Sequence, residues 1–300
     1  MNAIEIRNLS KSFHGLYAVD HLNMTVPAGA IYGFIGENGS GKSTTEKLIC
    51  GHLVPNGGKI RLFERDYRDA GVRARVGALI ENTGCFPGSS VWDNLMMQAI
   101  NLGLDNPRRE IGRVLSIVRM EDSAKTKFKN CSLGMKQRIG IAMALLGQPS
   151  LLVLDEPINR LDADGMRIMR EVLVDITRNR HCTVVISSHI LGELEKIATH
   201  YGIVRDGKMI KEMTAGELDQ GCRTYIALQT DQMSRTKALL AGKYSKVEEE
   251  NGYIRVYDAK MPEEIVAYLY DNGILVSEIK TDKIGLEEYY IDLMNEGRAR

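Results

Sequence analysis

Cysteine is scarce in this chain of 300 residues, which contains five. They are scattered at Cys50, Cys85, Cys131, Cys182 and Cys222. The number is odd, and no spacing among them is that of a metal-ligand pair or a disulfide framework. We therefore expect reduced thiols in a cytosolic protein, with no catalytic role for any cysteine.

The sequence also lacks net charge and a long apolar segment. Lys plus Arg and Asp plus Glu both number 39, so no overall field favours nucleic acid or an anionic membrane. The most apolar stretch, IGIAMALLGQPSLLVL, is interrupted by Gln148, Pro149 and Ser150. The N-terminus MNAIEIRNLSKSF is charged and has no apolar core of a signal peptide. We expect an ordinary globular protein that does not itself cross a membrane.

Short apolar runs alternate with helical patterns up to about residue 220, which predicts an α/β domain with a mainly parallel sheet. AIEIRNL, the stretch 17–26 and AIYGFIG are expected to be strands, followed by a helix from about Lys42. LLVLD and TVVISS are typical of strands buried on both faces, and Asp206-Gly207 predicts a hairpin. Residues from about 85 to 150 lack strand patterns, so we expect a helical subdomain there.

A different pattern begins near Gly221. TYIALQT predicts a strand, QMSRTKALLAG a helix, and YSKVEEE with YIRVYD a hairpin that turns at Asn251-Gly252. MPEEIVAYLYDNG then predicts a helix, ILVSEIK a strand and IGLEEYYIDLMNEG a helix. The order β-α-β-β-α-β-α predicts that residues 221–300 form a small α+β domain of the ferredoxin-like type, separate from a first domain at 1–220.

The segment FIGENGSGKSTT contains the pattern G-x-x-x-x-G-K-[ST] between an apolar strand and a helix. Backbone N–H groups of such a loop surround phosphates, Lys42 reaches the terminal phosphates, and the Ser43 hydroxyl ligates Mg²⁺. A glycine-rich turn without function would match the bare pattern in about one chain in a hundred of this length, so the flanking strand and helix favour a phosphate site. The expected phosphate-binding residues are Gly36, Asn38, Gly39, Ser40, Gly41, Lys42, Ser43 and Thr44.

The segment LLVLDEP places Asp155 and Glu156 at the end of an apolar strand. Asp155 is expected to hold the water shell of the metal, and Glu156 to act as a general base on an attacking water. A helix-capping acid pair is the alternative, but it would not explain the phosphate loop upstream. Nucleotide hydrolysis is the predicted chemistry.

With these motifs, residues 3–220 resemble the ATP-binding subunits of ABC transporters. CSLGMKQR matches the signature sequence of that family at Ser132 and Gly134, and INRLD resembles its D-loop at Asp162. SSH places His189 where the family has its switch histidine, and Phe13 lies where an aromatic ring stacks on adenine. The signature departs from its commonest wording at Cys131, Leu133 and Met135. The implied fold is a P-loop NTPase cassette, with an antiparallel N-terminal β region and the helical subdomain beside the parallel sheet.

The resemblance implies a two-fold dimer formed on ATP binding, in which the signature of each chain closes over the ATP held by the P-loop of the other. ATP and Mg²⁺ are the implied cofactors, and a separate transmembrane permease is the implied partner, with no nucleic acid. The expected location is the cytoplasm, peripheral to the inner face of the cell membrane.

One position departs from the family pattern. In ALIENTGCFPGSS, Glu81 stands where the family usually has a glutamine that meets the Mg²⁺ site and the membrane subunit, so Glu81 is an expected metal and nucleotide contact. This wording, SLGMKQR and LEEYYIDL resemble the branch of exporters that protect bacteria from bacitracin and lantibiotics. The alternatives are a soluble ABC-type ATPase that acts on the ribosome or DNA, and a regulatory ATPase whose C-terminal domain senses a ligand.

Overall fold

The structure, a computed structural model, describes residues 1–159, 161–221, 224–257, 259, 261–283 and 285–296. Arg160 of the INRLD segment and Cys222 lie outside the described residues. The chain divides into two compact units, residues 1–215 and 216–300, whereas the sequence placed the boundary at 220/221. Each unit is described by itself below.

The strands of the first unit form two sheets. In chain order they are β1 (Asn2–Phe13), β2 (Leu16–Pro27), β3 (Ile31–Ile35), β4 (Gly57–Leu62), β5 (Arg65–Asp66), β6 (Val76–Leu79), β7 (Leu151–Asp155), β8 (Thr183–Ser188), β9 (His200–Arg205) and β10 (Lys208–Thr214). One sheet has the antiparallel order β2-β1-β4-β5, and the other has the order β10-β9-β3-β8-β7-β6. Sequence analysis had not identified β4, β5 or β6.

The second sheet is parallel from β9 to β6, and only its edge strand β10 is antiparallel, as the hairpin at Asp206-Gly207 requires. Strand β3 is buried throughout, and β8 is too, because this sheet is covered on both faces. The carboxyl ends of β3, β8 and β7 lie side by side. In an open parallel sheet, ligands bind at this edge.

The helices of the first unit lie between these strands. They are α1 (Lys42–Ile49), α2 (Ala70–Arg73), α3 (Val91–Asn101), α4 (Pro107–Ile117), α5 (Leu133–Leu145), α6 (Ala163–Arg180) and α7 (Leu191–Glu195), with 3₁₀ turns at Glu121–Ser123 and Phe128–Asn130. Helices α3, α4 and α5 pack against one another, and α5 also packs on β6 and β7. This group is the helical subdomain expected between about 85 and 150. The α/β cassette predicted from the sequence is therefore confirmed.

The second unit begins within α8 (Ala215–Gly221). Its elements are β11 (Thr224–Thr230), α9 (Met233–Ala241), β12 (Val247–Glu250), β13 (Tyr253–Val256), α10 (Pro262–Asp271), β14 (Val276–Lys283) and α11 (Leu286–Glu296). The strands form an antiparallel sheet of order β12-β13-β11-β14, which is a split β-α-β arrangement. Its own apolar core, built on Ile226, Leu228, Ile254 and Val256, packs beneath Leu240, Ile265 and Leu269.

Among the helices in the described part of the chain, none is both long enough and apolar enough to span a membrane.

Candidate functional site

The loop between β3 and α1 carries the phosphate-binding pattern, at the carboxyl edge of the parallel sheet. A Cβ at Gly36 would lie 2.5 Å from the Val204 carbonyl oxygen. A Cβ at Gly41 would lie 2.3 Å from the Ala18 carbonyl oxygen, and Gly41 also has φ of +102°. Glycine is therefore required at both positions, and the backbone of the loop is pressed close to its neighbours.

The other residues of the loop carry polar groups, of which some are buried and some are exposed. The Gly207 N–H donates to the Ser40 carbonyl oxygen over 3.0 Å, which fixes the loop against the β9–β10 turn. The Ser40 hydroxyl oxygen is buried and has no hydrogen-bond partner in the described part of the chain. Asn38 and Gly39 form the exposed tip, and Ser43 and Thr44 are half-buried in the first turn of α1.

Lys42 closes the loop from within. Its ammonium group donates to the carbonyl oxygens of Gly36 (2.7 Å) and Glu37 (3.0 Å), and only 5% of the residue is exposed. Burial lowers the pKa of Lys42 below its ordinary value, and nearby carboxyls oppose that effect. These carboxyls belong to Glu156, Glu46 and Asp155.

Asp155 and Glu156 stand at the end of β7, next to the end of β8. The Ser187 hydroxyl donates to Asp155 Oδ1 over 2.8 Å and accepts from the Glu156 N–H over 3.1 Å. One serine therefore orients both acids. Because β7 and β8 are parallel neighbours with Asp155 paired to Ser187, this contact follows from the sheet register.

Glu156 has a left-handed backbone, with φ of +47°. Such a conformation costs about 1–3 kcal/mol in a residue other than glycine and is typical of functional sites. The Glu156 carboxylate oxygen Oε2 accepts a hydrogen bond from Asn159 Nδ2 over 2.8 Å and lies 2.9 Å from His189 Nδ1. The side chain of His189 is half exposed, so the pair faces solvent on one side.

Glu46 lies on the buried face of α1, beside the acid pair. It is fully buried, and burial together with the charge of Asp155 raises its pKa to about 8. Asp155 and Ser187 face the Glu46 carboxyl, but neither makes a hydrogen bond of regular geometry to it. The site therefore contains a carboxyl group that the motifs did not predict.

Glu81 follows β6 with φ of +63°. Its carboxylate pairs with Lys47 Nζ of α1 over 2.5 Å, and 58% of the side chain is exposed. Glu81, the expected metal contact, is thus an ion-pair partner of Lys47 in this structure. Lys47 directly follows Glu46 on α1.

The signature residues lie at the start of α5. The Ser132 hydroxyl caps this helix by accepting from the Met135 N–H over 3.2 Å. Ser132 is exposed, and Leu133 beside it is 45% exposed. A Cβ added at Gly134 would lie 3.7 Å from the Leu161 side chain, which is an ordinary contact. An exposed helix N-terminus offers free N–H groups and a favourable dipole to an anion.

Asp162 and Phe13 complete the predicted set. Asp162 caps α6 by accepting from the Gly165 N–H over 2.9 Å, and it is exposed. Phe13 ends β1 and is 43% exposed, with Lys11 Nζ 5.1 Å from the ring centroid. The β1–β2 hairpin that bears Phe13 also supplies Ala18, which touches Gly41, so the ring belongs to the strand pair next to the loop.

The sequence analysis missed Ser187, Asn159, Glu46 and Lys47. A serine in SSH and an asparagine in INRLD carry no pattern of their own, because their role depends on which strands are neighbours. Glu46 did leave a signal. In GKSTTEKLI, a glutamate occupies a position that the buried face of α1, with Leu48 and Ile49, would otherwise fill with an apolar side chain.

These groups fit a nucleotide and a divalent cation. The buried unpaired Ser40 hydroxyl, the close glycine backbone and Lys42 suit phosphate oxygens. No cluster of three or more His, Cys, Asp or Glu with metal-binding geometry occurs among the described residues. Mg²⁺ in nucleotide sites needs no such cluster, since one or two carboxylates and the phosphates hold it.

Comparison with known proteins points to the same activity. The family profile described as ABC transporter matches residues 19–159. The bacitracin transport ATP-binding protein BcrA of Bacillus licheniformis is 35% identical over 98% of both chains. The lantibiotic transport ATP-binding protein SrtF of Streptococcus pyogenes is 36% identical over 70% of this chain and 90% of its own.

Among solved structures, cbiO1 of Clostridium perfringens, part of the ABC transporter complex cbiONQ, superposes with a TM-score of 0.66. It is 25% identical and covers 73% of this chain and 91% of its own. The sequence matches a transport ATP-binding protein along nearly the whole chain, and the fold of the cassette matches a solved ABC transporter subunit. The chain belongs to the family of ABC transporter ATP-binding proteins, and it is an ATPase.

Proposed function

We propose that this chain powers the efflux of a peptide antibiotic, of the bacitracin or lantibiotic class, through a separate membrane subunit. The observation that carries this proposal is the 35% identity to a bacitracin transport ATP-binding protein over 98% of both chains. That alignment includes the C-terminal unit, which the cassette alone does not require.

The loop 36–44 binds the phosphates of ATP. Its backbone N–H groups and the Ser40 hydroxyl donate to phosphate oxygens, and Lys42 exchanges its two carbonyl partners for the terminal phosphates. Phe13 stacks on the adenine, which its 43% exposure permits.

Ser43 and Asp155 would hold Mg²⁺, and Glu81 would lie at the edge of that site. When bound, the cation neutralises charge on the phosphate oxygens. Ser187 keeps Asp155 in place through its 2.8 Å hydrogen bond. Glu81 must leave Lys47 to approach the cation, which the exposed position of that ion pair allows.

Glu156 is the general base. It takes a proton from the water that attacks the terminal phosphorus, and ADP is the leaving group. The contacts with His189 and Asn159 support this role, because they fix the direction in which the carboxylate points.

The ATP bound by one chain is closed off by the signature of a second. Ser132 and the N–H groups near Gly134 donate to the terminal phosphate held by the partner, and Asp162 lies at the same contact. The exposed start of α5 supports this arrangement. The closing and opening of the dimer drives the membrane subunit, and the chain works in the cytoplasm at the inner face of the membrane.

The chemistry is tested with Glu156→Gln. This variant keeps the size and hydrogen-bonding shape of the side chain but removes the base, so ATP binding should persist while turnover falls by about 10²–10⁴-fold. Turnover near the wild-type rate would remove Glu156 from the role of base.

The transport role is tested by expressing the chain together with its membrane subunit in a sensitive host. The minimal inhibitory concentration of bacitracin or of a lantibiotic should rise, and it should not rise with Glu156→Gln. Unchanged sensitivity to both classes, with an active ATPase, would contradict the proposed substrate class.

A further inference from the structure

The Glu46 carboxyl is an anomaly in the nucleotide site. Glu46 is fully buried on α1, and neither of its carboxyl oxygens has a hydrogen-bond partner among the residues that the structure describes. Buried polar groups are almost always hydrogen-bonded, so an exception requires an explanation. The same helix starts at the phosphate loop and packs beside β7, which ends at Asp155.

The groups around Glu46 are already committed. Ser187 has one hydroxyl proton, which it donates to Asp155. Lys42 donates to the Gly36 and Glu37 carbonyl oxygens, and the Thr45 hydroxyl donates to the Gly41 carbonyl oxygen. Among the described residues, the Glu46 carboxyl oxygens therefore accept no hydrogen bond of regular geometry, and the charge of Asp155 lies nearby.

A hydrated divalent cation would supply the missing donors. Mg²⁺ loses its waters reluctantly and keeps several of them in nucleotide sites. Groups outside the direct ligands orient such waters. No three-ligand metal cluster occurs among the described residues, which agrees with a cation that reaches Glu46 through one of its waters.

We propose that Glu46 is a positioning residue for the cation, which accepts a hydrogen bond from a metal-bound water and holds that water beside Asp155. This rests on the proposed Mg²⁺ site at Ser43 and Asp155. An apolar side chain would pack better in the nucleotide-free protein, since Glu46 is buried on α1 together with Leu48 and Ile49. The glutamate thus costs stability without ligand and strengthens binding of the cation.

The test compares Glu46→Gln with Glu46→Leu. The affinity for a fluorescent ATP analogue is measured in excess EDTA and again in Mg²⁺, and the ratio gives the gain due to the cation. Glutamine keeps an acceptor, so its ratio should stay within about threefold of wild type. Leucine should reduce the ratio by about tenfold or more, as loss of outer-shell groups does elsewhere. In EDTA, all three proteins should bind alike.

A second readout is the melting temperature without nucleotide, which should be equal or higher for Glu46→Leu than for wild type. Glu110→Gln is the matched control, since it removes a partly buried carboxylate far along the chain, in α4, and should leave the ratio unchanged. If the leucine variant does not fold, Glu46→Met replaces it, because methionine adapts to irregular space.

An unchanged ratio in the apolar variant would overturn the proposal. An equal loss of affinity with and without Mg²⁺ would make Glu46 a packing residue and would also overturn the proposal. The same conclusion would follow if the glutamine and leucine variants both melted below wild type by the same amount. If wild type binds ATP without any gain from Mg²⁺, the proposed metal site itself fails. Failure to bind ATP at all would contradict the proposed function.

Discussion

Single residues at the carboxyl edge of the parallel sheet are held by short, specific contacts. The Ser187 hydroxyl donates to the Asp155 carboxylate and accepts from the Glu156 N–H. Asn159 and His189 hold the Glu156 carboxylate. Glu156 has a left-handed backbone, a strained conformation that occurs mainly at functional sites. Preorganised groups of this kind need no rearrangement when a reactant arrives.

Phe13→Ala should weaken ATP binding by ~1–3 kcal/mol if the ring stacks on the base. The change should barely affect the melting temperature without nucleotide, because the ring is already 43% exposed. Titration with a fluorescent nucleotide and a thermal melt measure the two effects separately. A large loss of apo stability with unchanged affinity would make Phe13 a core residue.

Glu81→Gln should raise the Mg²⁺ concentration for half-maximal ATPase activity by about twofold to fivefold. This range corresponds to losing the attraction between the cation and one partly exposed carboxylate, which is worth ~0.5–1 kcal/mol. The opposite change, Lys47→Met, frees the Glu81 carboxylate from its ion pair and should lower that concentration. A Mg²⁺ titration of the ATPase rate measures both. If neither variant shifts the curve, Glu81 is not near the cation.

The sequence was sufficient to predict the residues that belong to motifs of known chemistry. The spacing of Gly36, Gly41, Lys42 and Ser43, and the acids after an apolar strand, predicted the phosphate loop and its neighbours. What the sequence left open was which residues touch these groups. Ser187 meets Asp155 only because β8 lies beside β7, and Glu81 meets Lys47 only because β6 ends near α1.

At the scale of elements, continuous apolar runs were predicted as strands, whereas interrupted or very short runs were not. LLVLD and TVVISS are continuous apolar or β-branched runs, and both are central strands. GGKIRL is as long as TVVISS, but glycine, lysine and arginine interrupt its pattern, and VGAL has only four residues. These two segments form β4 and β6 because the neighbouring strands β1 and β7 pair with them. Tertiary pairing decided these cases.

Helices α6 and α7 are joined by an acid with two cationic partners. Glu193, 12% exposed in its side chain, bonds Lys196 Nζ over 2.6 Å and also pairs with Arg170 of α6. Burial would raise the pKa of Glu193, but the hydrogen bonds from Lys196 and Arg170 outweigh it and lower the pKa below its ordinary value of 4.5. A lowered folded-state pKa gives stability that is present above the unfolded pKa and lost as pH falls through the folded pKa.

Glu193→Gln should therefore lower the free energy of unfolding at pH 7 by about 1–3 kcal/mol, as for hydrogen bonds to charged groups. The difference from wild type should shrink in thermal melts as the pH falls below 4.5 and through the lowered folded-state pKa of Glu193. Asp164→Asn, which breaks an exposed pair with Arg167, is the control and should change stability little. An equal difference at pH 3 and pH 7 would show that the ion pair is not its source.

At the scale of the whole molecule, the chain carries one phosphate loop and one signature, and the structure places them on different elements, before α1 and before α5. Ser132 caps its own helix and Lys42 bonds its own loop. Ser132 is exposed at the start of α5, and the phosphate loop is exposed at its tip, at Asn38 and Gly39. A second copy of the chain, related by a two-fold axis, would complete both sites at once.

The most direct measurement is repair between two differently broken chains, both carrying Glu156→Gln. One has Lys42→Ala and lacks a working phosphate loop. The other has Gly134→Asp, whose added Cβ would lie 3.7 Å from the Leu161 side chain, an ordinary contact, and which places a negative charge at the signature. Each homodimer then has two defective sites, whereas the mixed dimer has one intact site.

The chains carry different tags, are mixed with ATP, crosslinked briefly and captured through one tag, so that short-lived mixed dimers are counted. We predict crosslinked mixed dimers that depend on ATP, and almost none of either variant with itself. A mixture that captures no more partner with ATP than without it, while the parent Glu156→Gln protein dimerises, would contradict the sharing of ATP between two chains.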